Sequence, residues 1–136
     1  MNKKPYKSNR GQLSVETLLT HGGRWPDDQF GIVNTPVYRA STVLHPNLDT
    51  LVNHAQPYTY GRRGTPSSRS VEELVTKLEN GEGSKLTPSG ISAIACALMS
   101  VVKSGDEILV VDSVYMPTRE FCDGFLARMG VTTKYF

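Results

Sequence analysis

Tyr60-Gly61-Arg62-Arg63-Gly64-Thr65 gathers two guanidinium groups, a phenol and two glycines into one short stretch. Arginine presents a rigid fork of donors that matches phosphate or carboxylate. Glycine allows positive φ or a close backbone approach to a ligand. Anion binding is the chemistry such a loop could do, although a solvated basic loop is the commoner meaning of the same composition. A second stretch, Thr87-Pro88-Ser89-Gly90-Ile91-Ser92, reads as strand, turn and helix start. Free N–H groups in a first helical turn, at the positive end of the helix dipole, form an anion site. Gly90 would let the backbone approach such an anion, and Ser89 would cap or donate. The plain alternative is an ordinary turn with a serine cap. Neither stretch is G-x-G-x-x-G or G-x-x-x-x-G-K-[ST], so dinucleotide and Walker loops are not supported. The third stretch, Asp112-Ser113-Val114-Tyr115-Met116-Pro117, follows an apolar run. That places it at the carboxyl end of a strand, where open α/β sheets bind ligands. Tyr115 could lay its ring against a flat ligand and offer a hydroxyl, or pack on its own helix.

The elements that must carry these residues can be read from periodicity and punctuation. Met1 to Gln12 is polar, and a disordered or clasping tail is expected there. Leu13 to Thr20 reads as a short helix capped by Ser14 and stopped at Gly22 or Gly23. Arg24 to Pro46 is irregular, with a weak extended piece at Val37 to Leu44. Asn47 to Gln56 reads as a short helix ended by Pro57. Ser70, Glu72 and Glu73 mark the start of a helix whose stripe is Val71, Leu74, Val75 and Leu78, ending at Asn80-Gly81. Ser84 to Thr87 is a short strand candidate. The next helix carries Ile91, Ile94, Ala95, Leu98, Met99 and Val102. Glu107 to Asp112 contains the run Ile108-Leu109-Val110-Val111, suited to a strand buried on both faces. Pro117 opens a helix carrying Phe121, Phe125, Leu126 and Met129, and Gly130 stops it. Val131 to Phe136 begins another strand. Helix–strand alternation of this kind implies crossovers and a mostly parallel sheet, hence an α/β fold. The strands are too few for a complete doubly wound sheet, so the chain is expected to be the front part of a larger domain.

The totals agree with a globular α/β protein. The chain has 136 residues, 38% of them hydrophobic and 21% charged, with a net charge of +2. That charge argues against nucleic-acid and membrane partners. Arg62, Arg63 and Arg69 have no interleaved aromatic platform that would support a nucleic-acid reading. Met1 to Arg10 lacks the apolar core of a secretory signal, and Ile91 to Val102 is too short to span a bilayer. Cys96 and Cys122 show no metal or redox spacing, which fits a reducing, cytoplasmic setting. Cys96 reads as a small core hydrophobe and Cys122 as partly exposed. His21, His45 and His54 are dispersed, so no metal site is expected. Trp25 reads as an anchor on another surface.

The blocks PYTYGRRGTPSSRSVEELVTKLENGEGSKLTPSGISAI and GDEILVVDSVYMPTREFC carry a resemblance. From about Val33 to Phe136 the chain resembles the amino-terminal part of the transsulfuration (Cys/Met metabolism) family. Those enzymes use pyridoxal 5′-phosphate on the aspartate-aminotransferase-like fold, fold type I. Within the family, Tyr60 to Thr65 resembles the pattern of bacterial cystathionine β-lyases. The γ-synthases and γ-lyases more often carry Tyr-Ser-Arg and then Asn-Pro-Thr, where this chain has Gly64-Thr65-Pro66.

The resemblance implies an arm over residues 1–63, clasping a neighbouring subunit of a homo-oligomer, dimer or tetramer. Residues 64–136 would begin the cofactor-binding α/β domain. It implies that Tyr60 and Arg62 bind the cofactor phosphate of the neighbouring subunit. Gly90 and Ile91 would bind the phosphate within their own subunit. Tyr115 would stack on the pyridine ring beside the reacting amino acid, so Tyr115 and Tyr60 are the catalytic candidates. Arg63 inherits no role. The implied reaction splits cystathionine, a small amino-acid substrate, into homocysteine, pyruvate and ammonia. The family's Schiff-base lysine, the aspartate paired with the pyridinium and the carboxylate-binding arginine are expected beyond residue 136. None of Lys3, Lys4, Lys7, Lys77, Lys85, Lys103 and Lys134 follows a strand and loop as that lysine would. The chain by itself is therefore expected to be inactive. Two alternatives stay open. One is a relative acting as γ-synthase, γ-lyase or methionine γ-lyase. The other is a non-catalytic phosphate-binding or interaction fragment.

Overall fold

The computed structural model describes residues 13–136. The expected tail, Met1 to Gln12, lies outside them, as do Lys3, Lys4 and Lys7. The chain divides into two compact units, Met1–Lys85 and Leu86–Phe136.

In the first unit, helix α1 spans Val15–His21; the Ser14 hydroxyl caps it by accepting the Thr17 N–H, and Gly22 closes it. A 3₁₀ turn, Pro26–Gln29, ends at Phe30 in the left-handed region (φ 57°). Helix α2 covers only Leu48–Val52. Its Asn47 cap accepts both the N–H and the hydroxyl of Thr50, each at 2.8 Å. The longer helix expected to Gln56 does not form, because the chain turns at Asn53 and His54 takes φ 50°. Helix α3 spans Pro66–Leu78 and begins earlier than Ser70. Thr65 and Ser68 exchange capping-box bonds and Pro66 occupies the first turn, where its missing N–H costs nothing. The extended piece near Val37 to Leu44 contributes one isolated antiparallel bridge, Thr42 with Tyr60. Ser84 to Thr87 forms no strand; instead the Ser84 hydroxyl donates to the Glu72 carbonyl of α3 at 2.5 Å.

In the second unit, helix α4 spans Gly90–Met99, strand β1 Glu107–Val110, helix α5 Met116–Glu120 and strand β2 Thr132–Tyr135. Between α5 and β2, Phe121–Leu126 winds as a π-helical turn, so the expected single helix changes pitch halfway. The strands pair in parallel, Glu107 with Thr132 through Val110 with Tyr135. Gly105 (φ 92°) and Gly130 (φ 81°) make the turns that feed the two strands, and the Gly105 N–H donates to the Gly130 carbonyl at 2.8 Å.

Cys122, Leu126 and Val131 form the buried core of this unit, with Leu98, Val102, Ile108, Val110 and Phe121 packed around them. Strand β1 is not buried on both faces. Ile108 and Val110 turn toward the core, while Leu109 is 69% exposed on the other side. The two cysteines also trade their expected places, since Cys96 is exposed and Cys122 is fully buried. Cys96 falls off the α4 stripe that faces the core. The π-helical turn points Cys122 inward, one turn ahead of Leu126.

Candidate functional site

In the second unit, α4 precedes β1 and α5 follows it. Helix α4 enters β1 through a turn at the strand's amino end, and α5 leaves from its carboxyl end. Leu98, near the end of α4, packs against the core of Cys122, Leu126 and Val131. The crossover from β1 through α5 to the parallel β2 sets Met116 just past the carboxyl end of β1. The positive end of a helix attracts an anion.

At the start of α4, the Ser89 side chain accepts the Ser92 N–H at 3.2 Å and shares a 2.8 Å bond with the Ser92 hydroxyl. The Ala93 N–H bonds the Ser89 carbonyl at 3.1 Å. Among the described residues, the Gly90 and Ile91 N–H groups bond no protein acceptor. No acidic residue lies in this first turn. A Cβ placed on Gly90 would meet nothing within 4 Å, so the backbone there is open to a ligand. Tyr115 is the residue before α5 and is 64% exposed. Its carbonyl accepts the Thr118 N–H at 2.8 Å, which fixes its backbone and leaves the ring free. Gly90, Ile91 and Tyr115 all lie in the second unit, the first two opening α4 and the third preceding α5.

Tyr60 and Arg62 belong to the other unit, where their loop is built by close packing. The Gly61 N–H donates to the Ser41 carbonyl at 2.6 Å. A Cβ on Gly61 would overlap the Ala40 carbonyl, so this approach requires glycine. Gly61–Arg63 form a 3₁₀ turn ending at Gly64, whose φ of 141° again favours glycine. Arg62 lies over the Tyr60 ring, 5.0 Å from its centroid. Arg62 and Arg63 are both exposed. Trp25 is partly covered within its own unit by Arg69, which stands 5.3 Å from its ring centroid.

Titration behaviour narrows the chemistry. Burial, then the charge of Asp123, pushes the Cys122 thiol up and makes it a poor nucleophile. Desolvation, then the hydrogen bond to Asp123, pushes the Tyr135 phenol up to about 12. Hydrogen bonds to Glu73 and then Tyr58 raise Arg69 further, and the Asp112 hydrogen bond does the same for Arg119. No group of three metal-binding side chains occurs among the described residues. No helix among them is long and apolar enough to cross a membrane. Lys85 pairs with Glu72 at 2.9 Å and Lys134 with Glu107 at 2.8 Å.

Sequence reasoning missed the residues that hold the Tyr115 loop, Asp112 and Arg119. An arginine four residues after the tyrosine, one turn into a helix, was the available signal.

The fold is the amino-terminal part of a fold type I pyridoxal-phosphate enzyme. Many solved structures align with it, two of which illustrate the match. One is metB from Corynebacterium glutamicum, with TM-score 0.83 and 27% identity over 91% of this chain and 31% of that one. The other is a cystathionine γ-lyase from Lactobacillus plantarum complexed with L-serine, with TM-score 0.80 and 32% identity over 91% and 31%. Residues 16–136 match the family described as Cys/Met metabolism PLP-dependent enzyme, and the chain belongs to that family. Among curated relatives, a putative cystathionine β-lyase from Rhizobium johnstonii is 47% identical over 90% of this chain and 31% of its own length. Cystathionine β-lyase MetC of Escherichia coli is 31% identical over 90% and 32%. A cystathionine γ-lyase of Bacillus subtilis is 34% identical over 90% and 31%. The chain spans about a third of the length of the curated relatives it matches.

Proposed function

We propose that this chain supplies the arm and the phosphate-and-ring-binding front of a pyridoxal-phosphate-dependent carbon–sulfur lyase that cleaves cystathionine at its β-carbon. Homocysteine, pyruvate and ammonia are the products of that cleavage. The observation that carries the reading is the pair of uncommitted N–H groups at Gly90 and Ile91, in the same unit as the exposed Tyr115. A phosphate ester is a dianion, and two free amides at a positive helix end with no acidic residue in its first turn suit it. The residues present therefore fit the cofactor.

In this reading Gly90 and Ile91 hold the phosphate through their N–H groups. Tyr115 lays its ring along the pyridine, keeps water from that face, and presents its hydroxyl to the reacting amino acid. Tyr60 and Arg62, on an arm covering residues 1–63, reach the cofactor phosphate of a neighbouring subunit in a homo-oligomer. Tyr60 is the second tyrosine able to hold a proton near the substrate. Residues 64–136 begin the cofactor-binding domain. When bound, pyridoxal phosphate withdraws electrons from the bonds at the substrate α-carbon. The protein around it works in the cytoplasm on a small amino-acid substrate.

Relatives named as γ-lyases favour a second reading, cleavage on the γ side. Incubating the full-length protein with cystathionine and pyridoxal phosphate separates the two. Pyruvate is the expected product; α-ketobutyrate would move the assignment to a γ-lyase. Full-length protein that stays colourless with the cofactor would remove both.

A further inference from the structure

The loop that carries Tyr115 is closed from both ends by one residue. Arg119 Nη2 donates to the Asp112 carbonyl at 2.8 Å and to the Asp112 carboxylate at 2.6 Å. The Arg119 backbone N–H donates to the Tyr115 carbonyl at 3.3 Å, alongside Thr118 at 2.8 Å. The guanidinium lies 3.7 Å from the centroid of the Tyr135 ring on β2. Tyr135 is itself tied down, since its hydroxyl donates to Asp123 Oδ1 at 2.7 Å. The Asp112 N–H donates to the Phe136 carbonyl at 2.8 Å, which fixes the strand end from which the loop departs.

An exposed ion pair alone would mean little, because solvent screens it and side-chain entropy opposes it. Here the arginine side chain is only 27% exposed, against 75% for Asp112. Both protons of Nη2 are committed, one to a main-chain carbonyl and one to a carboxylate. The aromatic face beneath the guanidinium limits its rotation. The part held still is the connection between strand β1 and Tyr115. Nothing else among the described residues reaches the Asp112 side chain.

We infer that Arg119 is a positioning residue for Tyr115: by gripping Asp112 and stacking on Tyr135, it fixes the loop that sets the angle of the Tyr115 ring. The inference rests on the proposed role of Tyr115 against a pyridine ring. Lysine could keep the charge but not the planar fork, nor the same stacking on Tyr135.

The test uses the full-length protein and pyridoxal phosphate, with Arg119→Gln, Arg119→Lys, Tyr115→Ala and the double variant Arg119→Gln/Tyr115→Ala. Cofactor affinity is read by spectral titration, and ring orientation by the circular dichroism that the bound cofactor acquires. Arg119→Gln should weaken affinity about 5-fold, the coupling expected of residues in one network, and should diminish the induced dichroism. Arg119→Lys, the variant least able to disturb folding, should fall between. In the Tyr115→Ala background the Arg119→Gln change should cost nothing further. An equal loss in both backgrounds would mean that Arg119 supports the fold at large, and would overturn the inference. So would unchanged affinity and dichroism in Arg119→Gln and Arg119→Lys. Wild-type protein that binds no pyridoxal phosphate would instead overturn the reading of the site, and this inference with it.

Discussion

The two compact units are held by different forces. In the first unit, bonds between hydroxyls and main chain join segments far apart in sequence, beside the Gly61 bond to Ser41 and the stacking of Arg69 on Trp25. The Ser67 hydroxyl donates to the Pro36 carbonyl at 2.9 Å and accepts the Tyr38 N–H at 2.8 Å. One turn on, Ser70 donates to the Gly23 carbonyl and shares a 3.0 Å bond with Thr35. Among the described residues, every buried hydrophobic side chain lies in Leu86–Phe136 instead: Cys122, Leu126 and Val131. A typical hydrogen bond contributes about 1 kcal/mol net, because water offers an alternative partner. Burying a large aliphatic side chain contributes about 1.5–3 kcal/mol without needing a direction. The first unit is therefore well specified in its path and weakly stabilised, while the second carries the stability. Phe30, Val37, Leu44 and Leu48, all in the first unit, are 101%, 79%, 85% and 73% exposed. Apolar surface on that scale fits the proposed arm that clasps a neighbour.

The sharpest way to break this contrast is Leu126→Ala. Leu126 is fully buried at the centre of the second unit's core. The loss should be about 2–5 kcal/mol, from transfer and cavity terms together. Urea denaturation of the full-length protein should show it as a lower midpoint at constant slope. A loss below about 1 kcal/mol would show that the core can collapse around the gap, and the second unit would not be the stable one.

Arg62→Ala comes next and tests the first unit by function rather than stability. Arg62 is exposed and lies over the Tyr60 ring, so the substitution should leave the melt of the full-length protein nearly unchanged. A bond from a guanidinium to a phosphate contributes about 1.5–3 kcal/mol. If the proposed role holds, the full-length protein should therefore bind pyridoxal phosphate roughly 10- to 100-fold more weakly. Unchanged affinity would remove Arg62 from the site and leave the loop a solvated basic one.

How much was legible beforehand follows the same division. The parallel pair, α4 and the Ser89 cap were readable because β-branched runs, a serine cap and glycine stops act locally. The start of α3 was misread because acidic residues at 72 and 73 outweighed Thr65-Pro66, the stronger signal of a cap followed by a first-turn proline. Ser84 to Thr87 looked like a strand by composition, yet Ser84 has its bond partner on α3 at a distance in sequence that no local pattern encodes. The cysteines were reversed because burial depends on which way a helix face turns, and a π-helical turn shifts that face. At the site, Gly90, Ile91 and Tyr115 came from strand–turn–helix logic and from resemblance. Asp112 and Arg119 needed coordinates, since a loop brace shows up only when the loop is folded.

Ser70→Ala is the smallest of these effects and the most direct test of the polar half of the comparison. The Ser70 side chain joins α3 to Gly23, which is buried, has φ 67°, and sits so close to the Ser70 carbonyl that a side chain would collide with it. Removing the hydroxyl deletes the bond to the Gly23 carbonyl and the one shared with Thr35. Thr35 also donates to the same carbonyl at 3.3 Å, so that acceptor keeps a partner. The cost should therefore stay near 1 kcal/mol rather than reach the penalty of an orphaned buried group. The local consequence should be larger than the global one, with faster hydrogen exchange over Gly23 to Tyr38 and little change in β1 or β2. If exchange rises equally in both units, the polar bonds stabilise the whole chain and the division of labour fails. If it rises nowhere, Thr35 alone holds the segment, and the specification of its path rests on glycine packing instead of hydroxyl bonds.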